Sequence, residues 1–138
     1  MISLVLDTNV LVSANLSGEG LEALVVSLAL NQKIQIYVSE PIFKEYEQVL
    51  RYPRLKFESA KVARFLARLR RAGVLVKPAR TVSASSDEAD NRFLECAEAA
   101  GVDFLVTGNK KHFPKRWKTT EVVNARELLG RIGSSFLK

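Results

Sequence analysis

The chain has 138 residues, 47% hydrophobic and 26% charged, with a net charge of +6 and one cysteine. That size and balance fit one ordered domain spanning residues 1–138 and exclude a disordered polyelectrolyte. The lone Cys96 excludes an internal disulfide, and its place in a helical pattern marks it as a buried structural thiol rather than a nucleophile.

Ile2–Leu6 is a short apolar run rich in branched residues, closed by Asp7-Thr8-Asn9, and is expected as a buried strand. A helical stretch follows over Val10–Ala14. After a break at Ser17-Gly18, a second helix is expected over about Glu19–Leu30. Ile34–Val38 is the second strand. Ser39 has the character of an N-cap, with Pro41 in the first turn of a helix that runs to about Leu50 and ends at Tyr52-Pro53. Glu58–Arg71 places Val62, Phe65, Leu66 and Leu69 on one face and arginines on the other. Gly73 stops it, and Val74–Val76 is a weaker strand. A polar stretch, Thr81–Ser86, leads to a helix over Asp87–Ala100, closed by Gly101. Phe104–Val106 and Glu121–Val123 are short strands, and Asn124 caps a last helix to about Leu129.

Short apolar strands alternating with helices predict an α/β domain with a parallel sheet. In such sheets functional groups gather beyond the carboxyl ends of the strands. Two strands end in polar clusters that can meet there: Leu6 into Asp7-Thr8-Asn9, and Val106 into Thr107-Gly108-Asn109. The apolar run Leu21–Leu30 contains Glu22 and Ser27 and is too short to span a bilayer. The N-terminus lacks a basic segment, and Asp7 interrupts its apolar stretch, unlike a signal peptide. A cytoplasmic protein without membrane contact is the expectation.

The positive charge is clustered. Residues 41–80 hold eleven Lys or Arg against three acids, and residues 108–118 hold five bases and no acid. A polyanion-binding surface needs such clustering, and a solvated helix face that keeps the chain in solution accounts for it equally well.

Three acids stand in apolar surroundings. Asp7 ends a buried strand with no base nearby, where a divalent cation would offset its burial; it serves equally as a helix cap. Glu45 borders the apolar face formed by Ile42, Val49 and Leu50, although an isolated glutamate there is ordinarily a surface residue. Asp90 lies beside Phe93 and Leu94, whereas Asp87 and Glu88 are explained by the helix dipole. Together the three can converge at one sheet edge. Hard oxygen donors suit Mg2+ or Mn2+ rather than zinc, and such an ion serves phosphodiester hydrolysis. A single histidine, His112, speaks against a histidine-pair ribonuclease.

Met1–Asn9, Ser39-Glu40-Pro41 with Glu45-Tyr46 and Val49-Leu50, Asp90 through Ala97, and Val106-Thr107-Gly108-Asn109 resemble a PIN domain. More narrowly they resemble the group of PIN proteins related to VapC-type ribonuclease toxins. The resemblance covers nearly the whole chain, with the motifs in order. It implies a three-layer α/β/α fold with a mainly parallel sheet and an Mg2+- or Mn2+-dependent endoribonuclease acting on single-stranded RNA. It implies Asp7, Glu45 and Asp90 as catalytic and metal-binding acids. Thr8, Asn9 and Thr107 match polar positions that hold the site or the phosphate. Many members carry a fourth acid where this chain has Asn109, a departure that bears on a second metal and that Asp87 can partly offset. Asn109 itself, with Lys110, Lys111 and Arg51, is expected to position the RNA. A protein antitoxin and a homodimer are the partners it implies. Asn109 also motivates a second hypothesis, an RNA-binding PIN-like domain with weak or no catalysis. A phosphotransfer protein fits poorly, because the position two residues after Asp7 is Asn9 rather than an aspartate.

Overall fold

The computed structural model describes residues 1–137, with side chains through residue 133. Strands and helices alternate as follows: β1 (Ser3–Leu6), α1 (Thr8–Leu16), α2 (Leu21–Leu30), β2 (Gln35–Val38), α3 (Glu40–Leu50), α4 (Ser59–Ala72), β3 (Val74–Leu75), α5 (Glu88–Ala100), β4 (Phe104–Val106), β5 (Arg116–Trp117), β6 (Thr120–Val123) and α6 (Ala125–Leu137). Single 3-10 turns lie at Pro53–Leu55 and Lys110–His112.

The sheet order is β3-β2-β1-β4-β6-β5, with every neighbouring pair parallel except β5 and β6. Helices cover it in a three-layer α/β/α arrangement. From β1 the chain moves outward through β2 and β3, then returns to β4 on the other side of β1. The strand order therefore reverses between β1 and β4, and a crevice opens beyond their carboxyl ends. Register fixes what faces that crevice: Leu6 pairs with Val106, and the amide of Asp7 donates to the Val106 carbonyl at 2.9 Å. At the opposite end Asp103 Oδ2 accepts from both the amide and the hydroxyl of Ser3, which resists slippage of the same pair.

Leu4, Val5, Leu6, Ile36, Leu105 and Val106 are buried on both faces, as a covered parallel sheet requires. Residues Phe93, Leu94, Cys96 and Ala97 of α5 close one side of the core. Cys96 is buried, and burial pushes its thiol up to about 12, consistent with the inert role read from the sequence. Gly101 ends α5 in the left-handed region at φ 64°, where a side chain would be strained.

Several boundaries differ from expectation. The first helix begins at Thr8 rather than Val10, because Asp7 already has the extended backbone of an N-cap. The last helix continues past Leu129 to Leu137. Gly130 and Gly133 each cost about 1 kcal/mol of helix propensity, but Leu128 and Ile132 keep the same face buried across them. The two-residue strand β5, which turns back on β6 through Lys118 in a left-handed conformation, was absent from the sequence pattern. No single helix among the described residues is long and apolar enough to cross a membrane.

Candidate active site

Asp7 occupies the N-cap position of α1, yet its side chain makes no capping bond. Instead its Oδ2 accepts a 2.7 Å hydrogen bond from the buried hydroxyl of Thr107, at the end of the adjacent β4. The Thr107 Oγ1 also accepts from the amide of Asn109 at 2.9 Å. The capping alternative is thereby excluded: the carboxylate turns into the crevice, held from the neighbouring strand.

The helix α3 brings Glu45. Ser39 caps it, Pro41 sits in its first turn, and Ile42, Phe43, Tyr46 and Leu50 form its buried face. Glu45 lies half-buried at the rim of that face, while Glu47 is exposed. The hydroxyl of Thr8 donates to Glu45 Oε2, and the Tyr46 hydroxyl donates to the Leu6 carbonyl, so both residues tie α3 to the end of β1.

The first turn of α5 brings Asp90. Asp87 caps that helix by accepting from the Ala89 amide at 3.0 Å. Asn91 holds the preceding loop with two bonds to the Ser85 backbone. Asp90 is only 7% exposed, and its Oδ2 is buried without a hydrogen-bond partner. The nearest basic side chain is the imidazole of His112, with Nδ1 at 3.5 Å.

These acids raise one another's affinity for protons. Burial and then the Asp7 and Asp87 charges push Asp90 up to about 6, against a smaller opposing pull from His112. Burial lifts Asp7 despite the Thr107 bond, and lifts Glu45 despite the Thr8 bond. None of the three forms an ion pair with a lysine or arginine among the described residues. Buried, mutually repelling carboxylates with an orphaned oxygen offer hard donors that suit a divalent cation, although the group whose donor atoms lie within 4.8 Å of one another among the described residues is Asp87, Asp90 and His112, without Asp7 or Glu45.

Two of the remaining expected contacts sit elsewhere. Lys110 reaches away to Glu127 of α6 at 2.8 Å. Arg51 lies past the end of α3, bonded to Ser59 and paired with Glu47. Others turn inward: Thr8 and Thr107 are buried and grip acids, and Asn9 Oδ1 accepts from the Gly108 amide at 3.0 Å, joining the two loops. Asn109 and Lys111 remain exposed. Asp87 and His112 stand with Asp90, with one donor atom from each within 4.8 Å of the others. His112 reaches this edge from the loop after β4, a position that the sequence order alone makes adjacent to Thr107 and Asn109.

The profile of the PIN domain matches residues 3–111, which include Asp7, Glu45 and Asp90. The chain belongs to the PIN domain family. This PIN domain is also 28% identical over 112 residues to an uncharacterized protein of Methanocaldococcus jannaschii, covering 79% of this chain and 72% of that protein. Membership gives the chain a nuclease-type function.

A cleft of about 620 Å³ lies beyond β2 and β3, lined by Glu40, Leu75, Lys77, Arg80 and Glu95. Asp7, Glu45 and Asp90 are not among its lining residues.

Proposed function

We propose that this PIN domain is an Mg2+- or Mn2+-dependent endoribonuclease that cuts single-stranded RNA in the cytoplasm. We further assign it the role of toxin in a toxin–antitoxin pair of the VapC-related kind. The observation that carries the reading is the convergence of Asp7, Asp90 and the half-buried Glu45 at the switch point, mutually repelling and without a lysine or arginine partner among the described residues.

In this reading Asp7 and Asp90 hold the cation and Glu45 completes its shell or orients the attacking water. When bound, the ion supplies positive charge to the phosphodiester and acidifies water. Thr107 fixes Asp7 by donating to Oδ2, and Thr8 fixes Glu45, so each acid keeps one oxygen for the reaction. Asn9 holds the β1 and β4 loops together through Gly108. Asn109 and Lys111, exposed on the β4 side, contact the RNA backbone. Leu16 and Leu24, 62% and 48% exposed, offer an apolar surface for a homodimer, and an antitoxin segment would cover the acid edge.

The test of substrate class uses a closed circular single-stranded RNA, which has no ends. Linearisation in Mg2+ or Mn2+, abolished by chelator and weak on duplex RNA, is the expected result. An intact circle alongside digestion of a linear RNA would replace the endonuclease with an exonuclease. Asn109 favours a second reading, an RNA-binding domain without cleavage. That reading predicts retention of labelled RNA in chelator and no product with either metal.

A further inference from the structure

The proposed reaction leaves His112 and Asp87 at the acid edge without a role. His112 ends the Lys110–His112 turn in the loop after β4, with an exposed ring. Its backbone is fixed, because the carbonyl accepts from the Ser85 hydroxyl at 2.9 Å and the amide donates to the Asn109 carbonyl at 3.0 Å. The ring nitrogen Nδ1 lies 3.5 Å from Asp90 Oδ2.

That separation makes no hydrogen bond with Asp90 Oδ2, which remains buried and unpartnered. Two donors that share one ion at about 2.1 Å each stand roughly 3–3.5 Å apart, so the spacing suits common ligation. Asp87 adds a third donor: one of its oxygens caps α5, and a carboxylate oxygen lies within 4.8 Å of the other two donor atoms.

We propose that Asp87, Asp90 and His112 form a mixed nitrogen–oxygen position for a divalent transition-metal ion, taken in preference to Mg2+. The inference rests on reading the acid edge as a metal site, since Asp90 is shared with the reaction. The preference follows from chemistry: Mg2+ keeps oxygen ligands and its water, whereas imidazole raises affinity for first-row transition ions. Asn109 fits the same logic, because it leaves the β4 loop without an acid and makes His112 the donor from that side.

The test adds Mn2+ alone to the untagged protein and records electron spin-echo modulation. The chain holds one histidine, so an imidazole nitrogen signal on the bound ion identifies His112. The expected result is that signal in the wild type, its loss in His112→Ala, and a fall of at least about tenfold in Mn2+ affinity with Mg2+ affinity unchanged. Mn2+ bound with only oxygen coupling overturns the inference, as does equal Mn2+ affinity in His112→Ala or no Mn2+ binding. RNA cleavage assayed on the same preparations separates the failures: metal-dependent cleavage beside an all-oxygen spectrum leaves the nuclease reading standing. A nitrogen signal without cleavage overturns only the nuclease.

Discussion

At the scale of single residues, the site is a balance between burial and repulsion that the fold maintains at a cost. Asp90 is held up to about 6, while its ordinary value is 3.8. Between those values the folded chain carries more protons at this group than the unfolded chain does. Stability from this group is therefore greatest below about pH 4 and falls as pH rises through about 6. In chelator, the melting temperature of Asp90→Asn should exceed that of the wild type at pH 7 by several degrees, and the gap should shrink toward pH 4. A gap independent of pH would show that Asp90 is not strained. Thr107 makes a second prediction. Thr107→Val keeps the shape but removes the donor to Asp7, so divalent-ion affinity measured by calorimetry should fall about tenfold or more. Unchanged affinity would reduce Thr107 to packing. The three acids stood out as candidates because each adjoins apolar residues: Asp7 at the end of β1, Glu45 beside the buried face of α3, and Asp90 beside Phe93 and Leu94. The inward turn of Thr8 and Thr107 was not legible, since a hydroxyl's direction depends on the neighbouring strand. The approach of His112 to Asp90 was not legible either, because it depends on how the loop after β4 folds against α5.

At the scale of elements, α3 and α5 deliver their acids only if they are anchored to β1. The Tyr46 hydroxyl, fully buried and bonded to the Leu6 carbonyl, is one such anchor. Tyr46→Phe removes it and should cost about 1–2 kcal/mol in denaturant unfolding, with the fold retained. A loss below about 0.5 kcal/mol would mean that ring packing against Phe43 and Phe93, not the bond, sets this contact. The Ser39 cap, the Asp87 start of α5 and the Gly101 stop were all readable, because capping chemistry is local. The β5 turn and the extension of α6 were not, because each depends on contacts made across the sheet.

At the scale of the whole molecule, topology converts distant motifs into one edge. The sequence separates Asp7 from Thr107, yet the β1–β4 pairing makes them neighbours, which alternating elements and a switch-point rule anticipated. Charge is organised less simply than its clustering implied. Arg51, Arg70, Arg80, Arg92, Lys110 and Arg131 are engaged with acids of the same chain, while Lys111 is exposed beside the β4 loop. If the remaining bases bind phosphates, RNA affinity should fall steeply with added salt. The most direct measurement of the central claim compares wild type with Asp7→Asn on labelled single-stranded RNA, in Mg2+, Mn2+ and chelator, with circular dichroism to verify the fold. Cleavage is expected from the wild type with metal only, reduced at least about a hundredfold in the folded variant. Equal cleavage by Asp7→Asn, or cleavage by the wild type in chelator, would contradict it.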